Sequence, residues 1–197
     1  MGMCLSLCAV DSATINAVVA DPPLIWKVVA PGDDEMYVKA RRDAVPWWKR
    51  MFGRETGVVS KPVYVGATLF DGDLDKAWHG IHFLLTGTSW SGERPFNFLV
   101  LGGAQIGSID VGYGPARAFT PAEVQELSEV LRSIDEKELR SRFDPAKMMK
   151  LNIYPEIWDR DADEDDTIGY CIEYYAELLS FLKKASEHSA GMILYLS

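Results

Sequence analysis

Residues 167–196 read TIGYCIEYYAELLSFLKKASEHSAGMILYL and give the strongest indication of the fold class. Over about 167–186, apolar side chains recur every three or four residues, which is the period of an α-helix. They fall on two stripes rather than one, so we expect this helix to be buried on most sides and central in the domain. The first stripe holds Ile168, Ile172, Tyr175, Leu179 and Leu182, and the second holds Tyr170, Tyr174 and Phe181.

A strand is predicted at each end of the chain. Met192–Leu196 follows the long helix, and Met3–Val10 is an apolar run of strand length close to the N-terminus. Strands at both ends of a mainly helical middle indicate an α+β domain, with a small mixed sheet that contains both terminal strands and is packed by several helices. A chain of 197 residues fits a single domain of this kind over 1–197.

The remaining elements follow from spacing and capping signals. Over 74–85, apolar side chains recur at helical spacing, and Gly87 provides a C-terminal stop. Thr120–Glu123 is a capping box with proline at the first helical position. Further helices are predicted at 12–20, 24–29, 135–143 and 144–151, a further strand at Phe96–Leu101, and irregular structure over 31–73.

Composition narrows the classes of function. The chain has 20 lysines and arginines against 29 aspartates and glutamates, and this net charge of −9 argues against general nucleic-acid binding. No apolar run reaches the roughly 18–20 residues of a membrane span. The three cysteines, Cys4, Cys8 and Cys171, are an odd number and fit reduced thiols in the cytoplasm. We therefore expect a cytoplasmic protein with no cofactor and no structural metal.

The N-terminus allows two interpretations. Residues 1–6 fit a myristoylation pattern, in which Cys4 is available for a second lipid. The alternative is a buried strand that begins almost at the first residue. We favour the strand, since no basic residues precede the apolar stretch as they do in a signal peptide. The expected result is a paired strand with Cys4 or Cys8 facing the interior, and no stable membrane anchoring.

Several motifs occur in the order and at the spacing of one known family. They resemble the YfbM-like family of bacterial proteins over nearly the whole chain. The resemblance is weakest over about 30–70, which it implies is an irregular insertion within the domain. His79 stands where the resemblance leads us to expect Asp or another polar residue. The resemblance implies one α+β domain in the cytoplasm and a function that is unknown, and it assigns no catalytic residue. The motifs are Met1–Met3, Trp78–Gly87, Gly112–Arg117, Thr120–Val124, Phe143–Pro145 and Ile153–Trp158, with the closing helix and strand.

Asp75, His79 and His82 are spaced to share one face of the predicted helix. Three such side chains are able to hold a divalent metal ion. The alternative, which we favour, is structural: His82 makes a half-buried polar contact, and Asp75 serves the positive N-terminus of the helix.

The segment Tyr113–Arg117 is a candidate ligand-binding loop. Its glycine and proline restrict the backbone, and a rigid loop that carries arginine is able to grip a carboxylate or a phosphate. In the alternative, which we favour, Arg117 donates to backbone carbonyls or to an aspartate and holds the loop in place. The predicted ligand-binding residues are His82, Tyr113, Arg117 and Trp158.

Residues 39–54 carry a net charge of +5, and Pro46 is able to start a short helix that places aromatic side chains on one side. Such an element fits a partner-docking or membrane-surface role, with Trp47, Trp48 and Phe52 as the contact residues. The alternative, which we favour, is that these side chains cover the core beneath a long loop.

Asp159–Asp166 contains six acidic residues in eight positions. Its first residues imitate a calcium-binding loop, but the sixth position is Glu164 rather than Gly and the twelfth is Tyr170 rather than Glu. We therefore expect a solvated loop that places negative charge at the N-terminus of the last helix.

No spacing of Ser, His, Cys or Asp marks a catalytic triad or a nucleophile elbow. We therefore carry two hypotheses. The first is a non-enzymatic binding protein, of the immunity type, whose acidic surface captures a basic protein partner. The second is a small-molecule-binding protein or enzyme with a pocket near the four predicted ligand-binding residues. The sequence favours the first and leaves the oligomeric state open.

Overall fold

The computed structural model describes residues 2–44, 66–161, 163 and 165–197. These residues form one α+β domain, as the sequence predicts. In chain order the elements are β1 (Leu5–Val10), α1 (Ser12–Ala20), a 3-10 helix (Pro22–Ile25), α2 (Trp26–Val29), α3 (Asp34–Ala44), β2 (Phe70–Asp73), α4 (Trp78–Thr86), β3 (Ala104–Asp110), β4 (Pro115–Phe119), α5 (Pro121–Leu131), α6 (Glu136–Arg142), α7 (Pro145–Lys150), α8 (Thr167–Glu187) and β5 (Gly191–Leu196).

The five strands form one sheet in the order β2-β1-β5-β4-β3. Every strand pairing in the described part of the chain is antiparallel, so the prediction of a mixed sheet is wrong on this point. The reason is visible at β3 and β4, because a loop as short as 111–114 is able to join only antiparallel neighbours.

The prediction of an N-terminal strand is confirmed. β1 pairs with both β2 and β5, and the Cys4 backbone also exchanges hydrogen bonds with Ser197. The Cys8 side chain is buried, with 4% of its surface exposed. Leu5–Val10 is therefore part of the sheet, as the structural interpretation of the N-terminal segment predicts.

Helices cover both faces of the sheet. Leu5 and Leu7 of β1 belong to a core shared with α4, α5 and α8, whereas Cys8 and Val10 belong to a second core shared with α1 and α2. This alternation follows from strand geometry, in which successive side chains point to opposite faces. Burial on both faces explains why every residue of β1 except Ser6 is apolar. No helix in the ranges that the structure describes is long and apolar enough to cross a membrane.

The long C-terminal helix is central, as predicted. α8 contacts α4, α5, α6, β2 and β5. The capping signals are also confirmed: Thr120 forms a reciprocal capping box with Glu123, and Gly87 adopts φ +70° at the end of α4. Positive φ at a helix end is the conformation that glycine adopts without steric cost.

The prediction of a strand at Phe96–Leu101 is wrong. These residues form consecutive turns, in which the Phe98 N–H donates to the Pro95 carbonyl and the Leu101 N–H donates to the Asn97 carbonyl. A short apolar run without alternation does not distinguish a strand from other buried structure. The strand that follows, β3, was missed because its sequence, AQIGSID, is largely exposed and contains glycine.

The prediction of irregular structure over 31–73 is wrong where it covers α3 and β2. α3 is rich in good helix formers, begins with Asp34 and Glu35, and carries Arg41 and Arg42 in its last turn, so its charges match the helix dipole. Residues 45–65 lie outside the described ranges, and the status of 30–70 as an insertion stays a prediction.

Candidate functional site

The two histidines of α4 lie in the core. His79 and His82 are both fully buried. The His79 Nδ1 accepts a hydrogen bond from the Tyr154 backbone N–H at 3.0 Å, and its Nε2 lies 2.8 Å from the Ser89 carbonyl. The ring is therefore neutral, with its proton on Nε2. His79 joins α4 to the segments on either side of it, and burial lowers its pKa.

His82 lies one turn further along α4. Its Nε2 is 3.3 Å from the Thr86 hydroxyl. Burial, together with the nearby His79 and Arg117, lowers the pKa of His82 to about 4. At neutral pH the side chain is therefore an uncharged part of the core, more deeply buried than the half-buried contact that the sequence suggested.

Asp75 lies before α4 rather than on it. Its carboxylate accepts hydrogen bonds from the Tyr170 hydroxyl at 2.8 Å and from the Cys4 thiol at 3.1 Å. Asp75, His79 and His82 therefore bind different partners. Among the described residues, no group of three or more His, Cys, Asp or Glu side chains is placed to hold a metal ion.

The buried histidines predict a loss of stability in mild acid. The pKa of His82 is about 4 in the folded protein against an ordinary value near 6.5, so the unfolded chain takes up a proton first. The stability that neutral His82 contributes is thus fully present above about pH 6.5 and is lost as the pH falls toward 4. When the pH is lowered from 7 to 5, we expect the free energy of unfolding to fall by about 2 kcal/mol more in wild type than in His82→Leu. Urea unfolding at the two pH values measures this difference, and parallel losses in both proteins would contradict it.

Arg117 projects from β4 toward the turns at 98–102. Its Nη1 donates to the carbonyls of Phe98 at 2.8 Å and Gly102 at 2.6 Å, and its Nη2 donates to the Leu99 carbonyl at 2.6 Å. Burial lowers the pKa of Arg117 to about 10, so the guanidinium keeps its charge at neutral pH. These contacts are those of the structural alternative, in which the arginine holds a loop in place.

The loop before Arg117 is held by Asp110, whose carboxylate accepts from the N–H groups of Gly112 and Gly114, both at 2.9 Å. The Tyr113 N–H donates to the Leu196 carbonyl at 3.0 Å, and 48% of the Tyr113 residue surface is exposed. The turn at 111–114 is therefore restrained and anchored to the end of β5, but the prediction of a loop over 113–117 is wrong for Pro115–Arg117, because these residues pair with neighbouring strands as part of β4.

Trp158 lies on the other side of α4 from His82. Its indole N–H donates to the Ile153 carbonyl at 2.6 Å, and its ring packs so closely on Gly80 that any side chain there would collide with it. Each of the four predicted ligand-binding residues thus has its own contacts, and the four do not line one pocket. Their role in ligand binding stays a prediction, and the predicted partner-binding residues Trp47, Trp48 and Phe52 lie outside the described ranges.

A group of carboxylates lies where β2 forms one edge of the described sheet, and we call it the acidic edge. It consists of Asp71, Asp73, Asp75 and Glu173. Burial and then the charges of Asp75, Asp73 and Glu173 raise the pKa of Tyr174. Asp71 and Asp73 also contribute to the raised pKa of Tyr195, for which burial is the main cause. The acidic edge is therefore a region of negative potential.

Tyrosines border the acidic edge on both faces of the sheet. Tyr170 and Tyr174 stack edge to face on α8, with ring centroids 5.0 Å apart. Tyr195 lies on the opposite face, next to Ser6, which pairs with Asp73. Sequence reasoning missed this group because its members come from β2, from the turn that follows it and from α8. The one available signal was the alternation of Asp71 and Asp73, which places two acids on the same side of a strand.

Comparison with known proteins identifies the family. The model of a domain of unknown function, DUF1877, matches residues 1–195. The chain belongs to the DUF1877 family. Among solved structures, a protein of unknown function from Escherichia coli, YfbM, superposes with a TM-score of 0.65 at 19% sequence identity, over 98% of this chain and 99% of YfbM. The likeness to YfbM shows that the two share a fold. A search of curated proteins finds no match for this DUF1877 protein.

Proposed function

We propose that this DUF1877 protein is a non-enzymatic binding protein that captures a basic protein partner at the acidic edge. The observation that carries the proposal is the presence of three exposed carboxylates at one edge of the sheet, those of Asp71, Asp73 and Glu173. The net charge of −9 adds a long-range attraction for basic proteins.

Two physical arguments support capture at this place. Carboxylates on one surface accelerate association with a basic partner and restrict the choice of partner. Tyrosine supplies a large contact area with a polar tip and is enriched in protein interfaces. Immunity-type neutralisation of a basic toxin is the specific form of capture that we propose.

Charged residues on an edge strand also have a structural use, because they prevent the strand from pairing with other chains. This use and the proposed capture predict different consequences for Asp71→Asn/Asp73→Asn. Loss of edge protection leads to self-association, whereas loss of capture removes a partner. Light scattering of the purified variant separates the two.

The experiment is cross-linking and affinity capture in the native host, followed by mass spectrometry. The matched control is Glu126→Gln/Glu129→Gln, which removes two exposed charges from α5. We expect one dominant basic protein with wild type and with the control, and a loss of about tenfold or more with Asp71→Asn/Asp73→Asn, as expected for the removal of two charges from an interface. Equal capture by both variants, or an acidic captured protein, would contradict the proposal.

A further inference from the structure

A groove of about 470 Å³ lies between α7 and the segment that leads into α8, and we call it the acidic groove. Its floor is apolar and is formed by Phe143, Met149 and Ile168, which are half-buried, and by the buried Trp158. This volume lies within the range of clefts that bind side chains or small ligands. An apolar side chain that entered the groove would be removed from water.

Carboxylates from Asp159, Asp165 and Asp166 line one side of the acidic groove. Asp165 is paired with Arg160 at 2.7 Å, and Asp166 accepts from the Gly169 N–H at 2.9 Å as the N-cap of α8. Asp159 is exposed and makes no hydrogen bond or ion pair with another described residue. Arg160 also lines the groove, so three carboxylates and one guanidinium give the lining a net charge of −2.

We propose that the acidic groove docks a short segment of a protein partner in which an apolar side chain is flanked by lysine or arginine. The apolar floor receives the central side chain, and the carboxylates at the rim pair with the flanking cations. Charge complementarity selects a basic segment as the occupant, because the exposed carboxylate of Asp159 at the rim attracts lysine and arginine.

This inference goes beyond the capture proposed above and concerns a separate surface. Ile168 of the groove and Tyr170, which binds Asp75 of the acidic edge, are two residues apart on α8, which separates the directions of their side chains by about 200° around the helix. A segment in the acidic groove therefore leaves the acidic edge uncovered.

The test is fluorescence anisotropy with three labelled peptides: Lys-Lys-Trp-Lys-Lys, the same peptide with Ser in place of Trp, and the same peptide with Gln in place of every Lys. We expect the first to bind wild type about tenfold more tightly than either of the others, because only the first has both the anchor and the charges. Equal binding of the Ser peptide would overturn the proposal, since it would show attraction by charge alone. No binding of the first peptide up to about 1 mM would also overturn it.

Two variants test whether the first peptide binds in the acidic groove. Asp159→Lys reverses an exposed charge at the rim, and Met149→Lys places a cation in the floor. We expect each variant to lower the affinity for the first peptide by about fivefold or more, the effect of losing one charged or apolar contact. The control Glu129→Lys makes the same charge change at an exposed position of α5, outside both proposed surfaces, and is expected to leave binding within about twofold. If Glu129→Lys weakens binding as much as Asp159→Lys, the groove is not the site. Thermal melts establish whether the variants fold. If Met149→Lys does not fold, Asp159→Lys provides the test by itself.

Discussion

Trp158→Ala is expected to lower the free energy of unfolding by about 4 kcal/mol, the largest effect of any single change that we predict. The indole is 1% exposed, packs against Gly80, and donates its N–H to the Ile153 carbonyl at 2.6 Å. Truncation leaves a cavity between α4 and α8 and a buried carbonyl without its donor, and both effects destabilise the folded state.

Urea unfolding at neutral pH measures this loss. The matched control is Trp90→Ala, because Trp90 also packs against α4 but is 56% exposed. We expect the control to cost about 1 kcal/mol, in proportion to its smaller burial. Equal losses in the two variants would show that Trp158 is not the anchor that the structure indicates.

Arg117→Ala is expected to lower the free energy of unfolding by about 3 kcal/mol, and Arg117→Lys by about 2 kcal/mol. Alanine leaves the carbonyls of Phe98, Leu99 and Gly102 without the guanidinium that binds them. Lysine keeps the charge but lacks the planar fork that reaches all three carbonyls at once.

Thermal and urea unfolding test the Arg117 series, with Arg132→Ala as the control at an exposed position. The control is expected to change stability by less than about 0.5 kcal/mol. An Arg117→Lys protein that melts with wild type would contradict the structural role and favour the ligand-gripping alternative.

Local signals in the sequence predicted most of the fold. The capping box at Thr120, the stop at Gly87 and the two stripes of the last helix each depend on neighbours within a few residues, and each is confirmed. The turns at Phe96–Leu101 were missed because tertiary contacts stabilise them: Arg117, which lies far along the chain, binds their carbonyls.

The candidate site was harder to predict for the same reason. Helical spacing correctly brought His79 and His82 close together, but whether they face solvent or the core depends on which segments cover α4. The acidic edge joins Asp73 of β2 to Glu173 of α8, which are 100 positions apart, and no periodicity connects them. Only the register of β2 on β1 and the packing of α8 against the sheet bring these charges together.

The central claim is that the buried polar residues support the fold while the acidic edge binds the partner. The most direct test is the affinity of Arg117→Lys and of Asp71→Asn/Asp73→Asn for the captured basic partner, measured by calorimetry well below both melting temperatures. We predict that Arg117→Lys binds like wild type despite its lower melting temperature, and that Asp71→Asn/Asp73→Asn melts like wild type but binds at least about tenfold more weakly. The opposite pattern, in which Arg117→Lys loses the partner and the acidic-edge variant retains it, would contradict the account.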